Sequence, residues 1–177
     1  RRCILVEGLT EELLIKAYLQ SRPELSDIEI ISFHKGFTKI LDIWCVLNEK
    51  TINRLGIIRD FDDEPKAKAR HDEYNNHPRI CVETTKEYTL EPEIVKTGDN
   101  HNLLVQQYGA EYNWEGLSAD ALADDWRTTK SMVMLRLCHD LAQGCLPTFV
   151  MPRHIQTVLD FMIKTDVGED GDIANEN

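Results

Sequence analysis

The sequence predicts an α/β fold, with a mostly parallel central sheet flanked by helices, on three observations. Short β-rich runs alternate with amphipathic helical stretches, the pattern of parallel strands joined by helical crossovers. Two of those runs end directly in carboxylates: Ile4-Leu5-Val6 leads into Glu7, and Leu55-Gly56-Ile57-Ile58-Arg59 leads into Asp60. Of the 177 residues, 42% are hydrophobic, enough for one real core, so a single domain is expected over 1–164.

Arg2 to Val6 reads as a buried strand. Thr10 is the expected N-cap of the next helix, with Glu11 and Glu12 in its first turn. Leu13, Leu14, Ala17 and Tyr18 form its apolar stripe, and Pro23 stops it. Ile28 to Phe33 is the second strand. Lys35-Gly36 turns the chain into a helix over about Thr38 to Leu47, with Ile40, Leu41, Trp44 and Leu47 on one face. Arg54 to Arg59 is the third strand and ends at Asp60-Phe61-Asp62. Glu64 to Tyr74 is polar and charged, an exposed helix or a lid. Arg79 to Val82 is the fourth strand, and Tyr88 to Pro92 follows as a loop or strand end. The polar, acidic stretch 97–130 reads as a helical insertion. Ser131 to Leu141 is an amphipathic helix through Met132, Leu135, Leu137 and Leu141, broken by Gly144 and Pro147, and Pro152 to Ile163 is the last helix. Residues 165–177 carry Asp166, Glu169, Asp170, Asp172 and Glu176 with no basic residue, and read as a disordered acidic tail.

Composition removes several classes of function. No apolar run approaches the ~20 residues of a membrane span, and Cys3 to Val6 is too short for a signal peptide. The five cysteines are scattered without Cys-x-x-Cys spacing, which fits reduced thiols in a cytoplasmic protein and opposes a zinc site or disulfide framework. The six histidines show no ligand spacing. There is no P-loop and no nucleophile elbow. The chain opens on Arg1-Arg2 without an initiator Met, which predicts a piece of a longer protein. A net charge of -11 opposes tight binding to nucleic acid by this segment alone. Part of that charge lies in the tail, and part in the carboxylates that bound cations would neutralise.

Those carboxylates are the chemical signal. Ligands of open α/β sheets bind outside the carboxyl ends of the strands. Glu7 lies at one strand end and Glu11 in the first turn of the following helix, so both can face one point above the sheet. Gly8 permits a tight turn between them. Alternation predicts Asp60 and Asp62 on one side of an extended segment, with Phe61 on the other. Glu91 is a candidate fifth ligand with the Thr89 hydroxyl beside it. Lys130, next to Thr128 and Thr129, is a candidate to meet a phosphate. Each has a bland counterpart: a helix-end charge at Glu11, a polar turn at Asp60 and Asp62, a loop acid at Glu91, a solvated lysine at Lys130. Two carboxylate pairs at two strand ends favour metal. Hard oxygen donors select Mg²⁺ or Mn²⁺, and Ca²⁺ is also able to bind.

Val6-Glu7-Gly8 followed by Asp60-Phe61-Asp62 resembles the Toprim domain of topoisomerases, primases and related nucleases. The longer stretch Leu5-Val6-Glu7-Gly8-Leu9-Thr10-Glu11-Glu12 is similar to the Toprim region of OLD-family (overcoming lysogenization defect) ATP-dependent endonucleases, as are Thr89-Leu90-Glu91 and Thr129-Lys130. The resemblance spans about Arg2 to Ile163. It implies a two-metal DNA endonuclease in which Glu7, Glu11, Asp60, Asp62 and Glu91 hold two divalent ions. Glu7, Asp60 and Lys130 act in catalysis, and Gly8, Asp63 and Thr89 support the site. It also implies an N-terminal ABC-type ATPase domain absent from this chain, a homodimeric full-length protein, and a role in phage defence or DNA repair. Lys35, Lys39, Arg54, Arg59, Lys66, Lys68 and Arg70 are then the expected DNA-facing charges, with Lys66, Lys68 and Arg70 foremost. Competing expectations are another Toprim enzyme, primase-like or topoisomerase-like, and a Toprim module that only binds partners. A receiver-like phosphoacceptor domain is a weaker third.

Overall fold

The computed structural model describes residues 1–34 and 36–164, so the expected acidic tail lies outside the described residues. Four parallel strands, β1 (Arg2–Val6), β2 (Ile28–Ser32), β3 (Arg54–Arg59) and β4 (Ile80–Thr84), form one sheet in the order β2-β1-β3-β4. Eight helices surround it among the described residues: α1 (Leu9–Leu19), α2 (Phe37–Leu47), α3 (Pro65–Asp72), α4 (Leu90–Val95), α5 (Asn100–Tyr112), α6 (Ala119–Thr128), α7 (Lys130–Ala142) and α8 (Arg153–Ile163). The α/β class and the all-parallel sheet are as the sequence predicts.

The alternation of side chains along the strands divides the core between the two faces. Ile4, Val6, Ile30 and Ile58 pack with Leu14 and Ile15 of α1 on one face. Leu5, Leu55 and Ile57 pack with Phe37 and Leu41 of α2 on the other. β3 is buried along its whole length, as expected of a strand covered on both sides. At its centre, a Cβ on Gly56 would stand 2.3 Å from Val158 Cγ1 and 2.8 Å from Met162 Cε. The missing side chain is what lets α8 lie directly on the sheet.

Chain order creates a switch point. From β1 the chain runs through α1 to β2 on one side, then through α2 to β3 on the other. The carboxyl ends of β1 and β3, adjacent and paired Val6 to Ile58, therefore face a crevice from which the chain leaves in opposite directions, from β1 through α1 to β2 and from β3 through α3 to β4.

Several expectations are corrected. Gly8, not Thr10, occupies the N-cap of α1, and no side chain caps it. Glu91 sits in the first turn of α4 rather than on a loop, with Thr89 as its N-cap residue. The stretch 97–130 is helical, yet its Leu104, Tyr108, Trp114, Leu122 and Trp126 lie in the same core as the sheet. On α7 the buried face runs through Val133, Met134, Leu137 and Cys138, whereas Met132 and Leu135 are exposed. On α2, Leu47 is exposed where a core position is expected. Both helices carry apolar residues around most of their circumference, so periodicity alone does not choose the buried side.

A carboxylate cluster at the sheet switch point

Glu7 is the first residue past β1 and Asp60 the first past β3. Because the two strands are hydrogen-bonded neighbours, the carboxylate of one meets the backbone of the other: Glu7 Oε2 accepts the Asp60 N–H at 3.1 Å. Glu11 rises from the first turn of α1 and is 4% exposed. The Thr10 hydroxyl donates to Glu11 Oε2 at 3.2 Å. A Cβ on Gly8 would stand 2.7 Å from that same oxygen. Gly8 has φ -133° and ψ 170°, extended values that any residue adopts. Its contribution is therefore room for the Glu11 carboxylate, not an unusual turn. Glu12, next in sequence, faces away and accepts the Ser32 N–H at 3.1 Å, tying α1 to β2.

The segment after β3 is not extended. Asp62 and Asp63 have φ of 47° and 56°, in the left-handed region where Asp is one of the better tolerated residues. A turn, and not alternation along a strand, brings Asp62 beside Asp60. Three hydrogen bonds hold it: Asp62 N–H to the Tyr88 carbonyl at 3.1 Å, Phe61 N–H to Thr85 Oγ1 at 2.9 Å, and Thr85 N–H to the Arg59 carbonyl at 3.0 Å. The loop after β4 is thereby joined to the aspartate turn. That loop is braced in turn by Glu93, whose Oε2 accepts the N–H groups of Lys86 at 2.9 Å and Glu87 at 2.8 Å. It leads into Glu91, fully buried, which accepts the Thr89 hydroxyl at 3.0 Å. Thr85 and Glu93 are not legible in the sequence as contributors, because each acts by accepting backbone N–H groups, Thr85 from a residue 24 positions away and Glu93 within its own loop.

The other four carboxylates stand near enough to Asp60 to act on its charge. Burial first, and then the charges of Glu11, Glu7, Asp62 and Glu91, together raise the Asp60 carboxyl from its ordinary 3.8 to about 8. Burial also raises the Glu7 carboxyl from its ordinary value; the Asp60 N–H and the Arg59 charge oppose that, while Asp62 and Glu11 add to it. A buried group surrounded by like charges keeps its proton until a cation replaces it. Among the described residues, no three or more His, Cys, Asp or Glu side chains form a group that could hold a metal ion as they stand. The donor set is nonetheless all carboxylate oxygen, and its chemistry fits hard divalent cations.

The remaining expected residues are more dispersed. Lys130 opens α7, and its side chain lies outside the described residues, as does Lys35. Asp63 is exposed at the rim. On α3, Lys66 and Arg70 are exposed, while Lys68 is paired with Asp72 one turn on. Arg54 lies at the amino end of β3, remote from the cluster, where it donates to the Phe161 carbonyl at 2.8 Å. Arg59, expected to face DNA, is 4% exposed and donates to His71 Nδ1 at 2.8 Å.

No helix of the described residues is long and apolar enough to cross a membrane. Compared with family models, curated proteins and solved structures, the chain matches none.

Proposed function

We propose that this chain is the Toprim nuclease portion of an OLD-family ATP-dependent endonuclease, hydrolysing DNA phosphodiester bonds with two divalent cations. The observation that carries this reading is the convergence of Glu7, Glu11, Asp60, Asp62 and Glu91, from three separate segments, on the carboxyl ends of adjacent central strands. The resemblance of Leu5 to Glu12 and of Asp60 to Asp62 to that family supports it from the sequence side.

In this reading the five carboxylates hold Mg²⁺ or Mn²⁺. Such ions supply a water of lowered pKa and charge for the leaving oxygen. The chain's own residues set the conditions. The Asp60 N–H fixes the Glu7 carboxylate at the strand end, and the Thr89 and Thr10 hydroxyls orient Glu91 and Glu11. Burial strengthens every charge interaction inside the crevice. Lys130, at the start of α7, would offset charge on the pentacoordinate phosphate. Lys66 and Arg70 on the exposed face of α3 would follow the DNA backbone. The ATPase domain and the dimer belong to the rest of such a protein.

The test is incubation of supercoiled plasmid with the protein in Mg²⁺, Mn²⁺ or EDTA, alongside Glu7→Ala and Asp60→Ala. Metal-dependent nicking or linearisation that both substitutions abolish is the expected result. Cleavage that persists unchanged in both variants would overturn the site.

A further inference from the structure

Beside the carboxylate cluster lies a second feature that its chemistry does not use. A cleft of about 310 Å³ opens between the amino end of α2 and α3, walled by Gly36, Phe37, Thr38, Arg59 and His71. Glu7 and Asp62 stand at its inner edge, so it is continuous with the cluster. Three observations of different kinds bear on what this cleft binds, although Glu7, Asp62 and Glu64 are also among its lining residues.

Arg59 is the first. It is 4% exposed, donates to His71 Nδ1 at 2.8 Å, and its Nε has no hydrogen-bond partner among the described residues. A buried guanidinium whose donors outnumber its acceptors is costly unless an anion completes it. Glu64 lies 3.6 Å from Nη2 with a side chain 62% exposed, a loose and replaceable counterion, and Glu7 at the inner edge of the cleft also feels the Arg59 charge.

The second is a relay. Arginine only donates, so His71 Nδ1 accepts and the ring carries its proton on Nε2. That Nε2 lies 3.3 Å from Thr38 Oγ1 and donates to it, which leaves the hydroxyl hydrogen of Thr38 for another acceptor. The third is the amino end of α2. Gly36 caps this eleven-residue helix at φ 89° without a side chain, and no acidic residue stands in its first turn. Its first residues, Gly36, Phe37 and Thr38, line the cleft, and the amino ends of helices favour anions.

We propose that this cleft is a phosphate subsite, in which Arg59, the Thr38 hydroxyl and the first turn of α2 bind a phosphoryl group of a nucleic-acid strand lying next to the carboxylate cluster. It rests on the nuclease reading for the identity of the strand. The phosphate itself is either an internal diester or a 5′-terminal monoester; both present non-bridging phosphoryl oxygens that accept hydrogen bonds, two in the diester and three in the monoester, and Glu64 gives way to either.

The experiment measures binding of labelled 5′-phosphorylated and 5′-hydroxyl DNA octamers by fluorescence anisotropy, in EDTA and in Ca²⁺, with inorganic phosphate as competitor. The parent is compared with Thr38→Val, Glu64→Gln and Arg59→Lys, each checked by circular dichroism and thermal melting. Thr38→Val should weaken binding about fivefold, and Arg59→Lys about tenfold, as expected for loss of hydrogen bonds to a charged group. Glu64→Gln should tighten it about threefold by removing the competing counterion. Because Glu64 and Thr38 are not buried core residues, their variants decide the matter even if Arg59→Lys does not fold. A preference for the 5′-phosphorylated strand assigns a terminal monoester; equal affinity assigns the backbone. No binding by the parent, or unchanged affinity in both Thr38→Val and Glu64→Gln, overturns the subsite. Plasmid cleavage with unchanged affinities would sink the subsite and leave the nuclease; the predicted affinity changes without cleavage would do the reverse.

Discussion

The carboxylate of Glu7 accepts the backbone N–H of Asp60 at 3.1 Å, across 53 residues of sequence. This bond joins the ends of the two central strands and sets where both acidic side chains stand. It also separates two roles of Glu7, as a hydrogen-bond acceptor and as a charge. Glu7→Gln keeps an acceptor for the Asp60 N–H, whereas Glu7→Ala leaves it without one. Alanine should therefore cost about 1 kcal/mol of stability and glutamine less. Both should lose metal-dependent cleavage. Denaturant melts of the two variants in EDTA check the first part and plasmid assays the second; equal melts would show that the bond contributes nothing.

The buried Asp60 makes stability depend on pH. Its folded-state pKa is raised to about 8 from 3.8, by burial first and then by Glu11, Glu7, Asp62 and Glu91. A group raised on folding binds its proton more tightly in the folded state, so the stability it contributes is present below about pH 4 and is lost as pH rises through 8. Glu7 shifts in the same direction. In EDTA, the melting temperature of Asp60→Asn should gain on that of the parent as pH rises from 4 to 8. Mn²⁺ should restore the parent at pH 8 and act little on the variant. Parallel melting curves across that range would refute the coupling.

Gly8 tests whether space for Glu11 matters. An added methyl would stand 2.7 Å from Glu11 Oε2, the mobile end of a side chain, so the fold can adjust cheaply while the carboxylate cannot stay in place. Gly8→Ala should leave the unfolding free energy within about 0.5 kcal/mol of the parent, as for substitutions that strain no backbone. Cleavage should fall steeply. Full activity in this variant would show that Glu11 need not stand where it does.

Gly56 shows the opposite balance. Its Cβ would meet Val158 Cγ1 at 2.3 Å and Met162 Cε at 2.8 Å inside the core. Gly56→Ala should destabilise the protein by about 1–3 kcal/mol, as overpacking does. Val158→Ala in the same chain should recover much of that loss, an interaction that a double-mutant cycle reads directly. Additive losses would mean that α8 moves off the sheet as a body.

What the sequence by itself determined here is the set of elements and the placing of acids at two strand ends. Arg54–Arg59 is a strand over the residues expected, and the other strands agree within about two residues, because buried parallel strands read as short β-branched runs bounded by polar turns. Glu7 and Asp60 were legible because each directly follows such a run. Only the tertiary structure decided which faces are buried and what meets what. Val133 and Met134, rather than Met132 and Leu135, face inward on α7, since the packing of α1 and α6 against it selects one of two apolar sides. The stretch 97–130 looks polar by composition, yet it places Trp114 and Trp126 in the core, because a few large side chains outweigh many exposed charges. Arg59 reads as a surface charge until strand pairing and α3 enclose it against His71. Local pattern encodes what each segment becomes; the partners of a buried charge are set by strand order and crossovers, which no window of sequence contains.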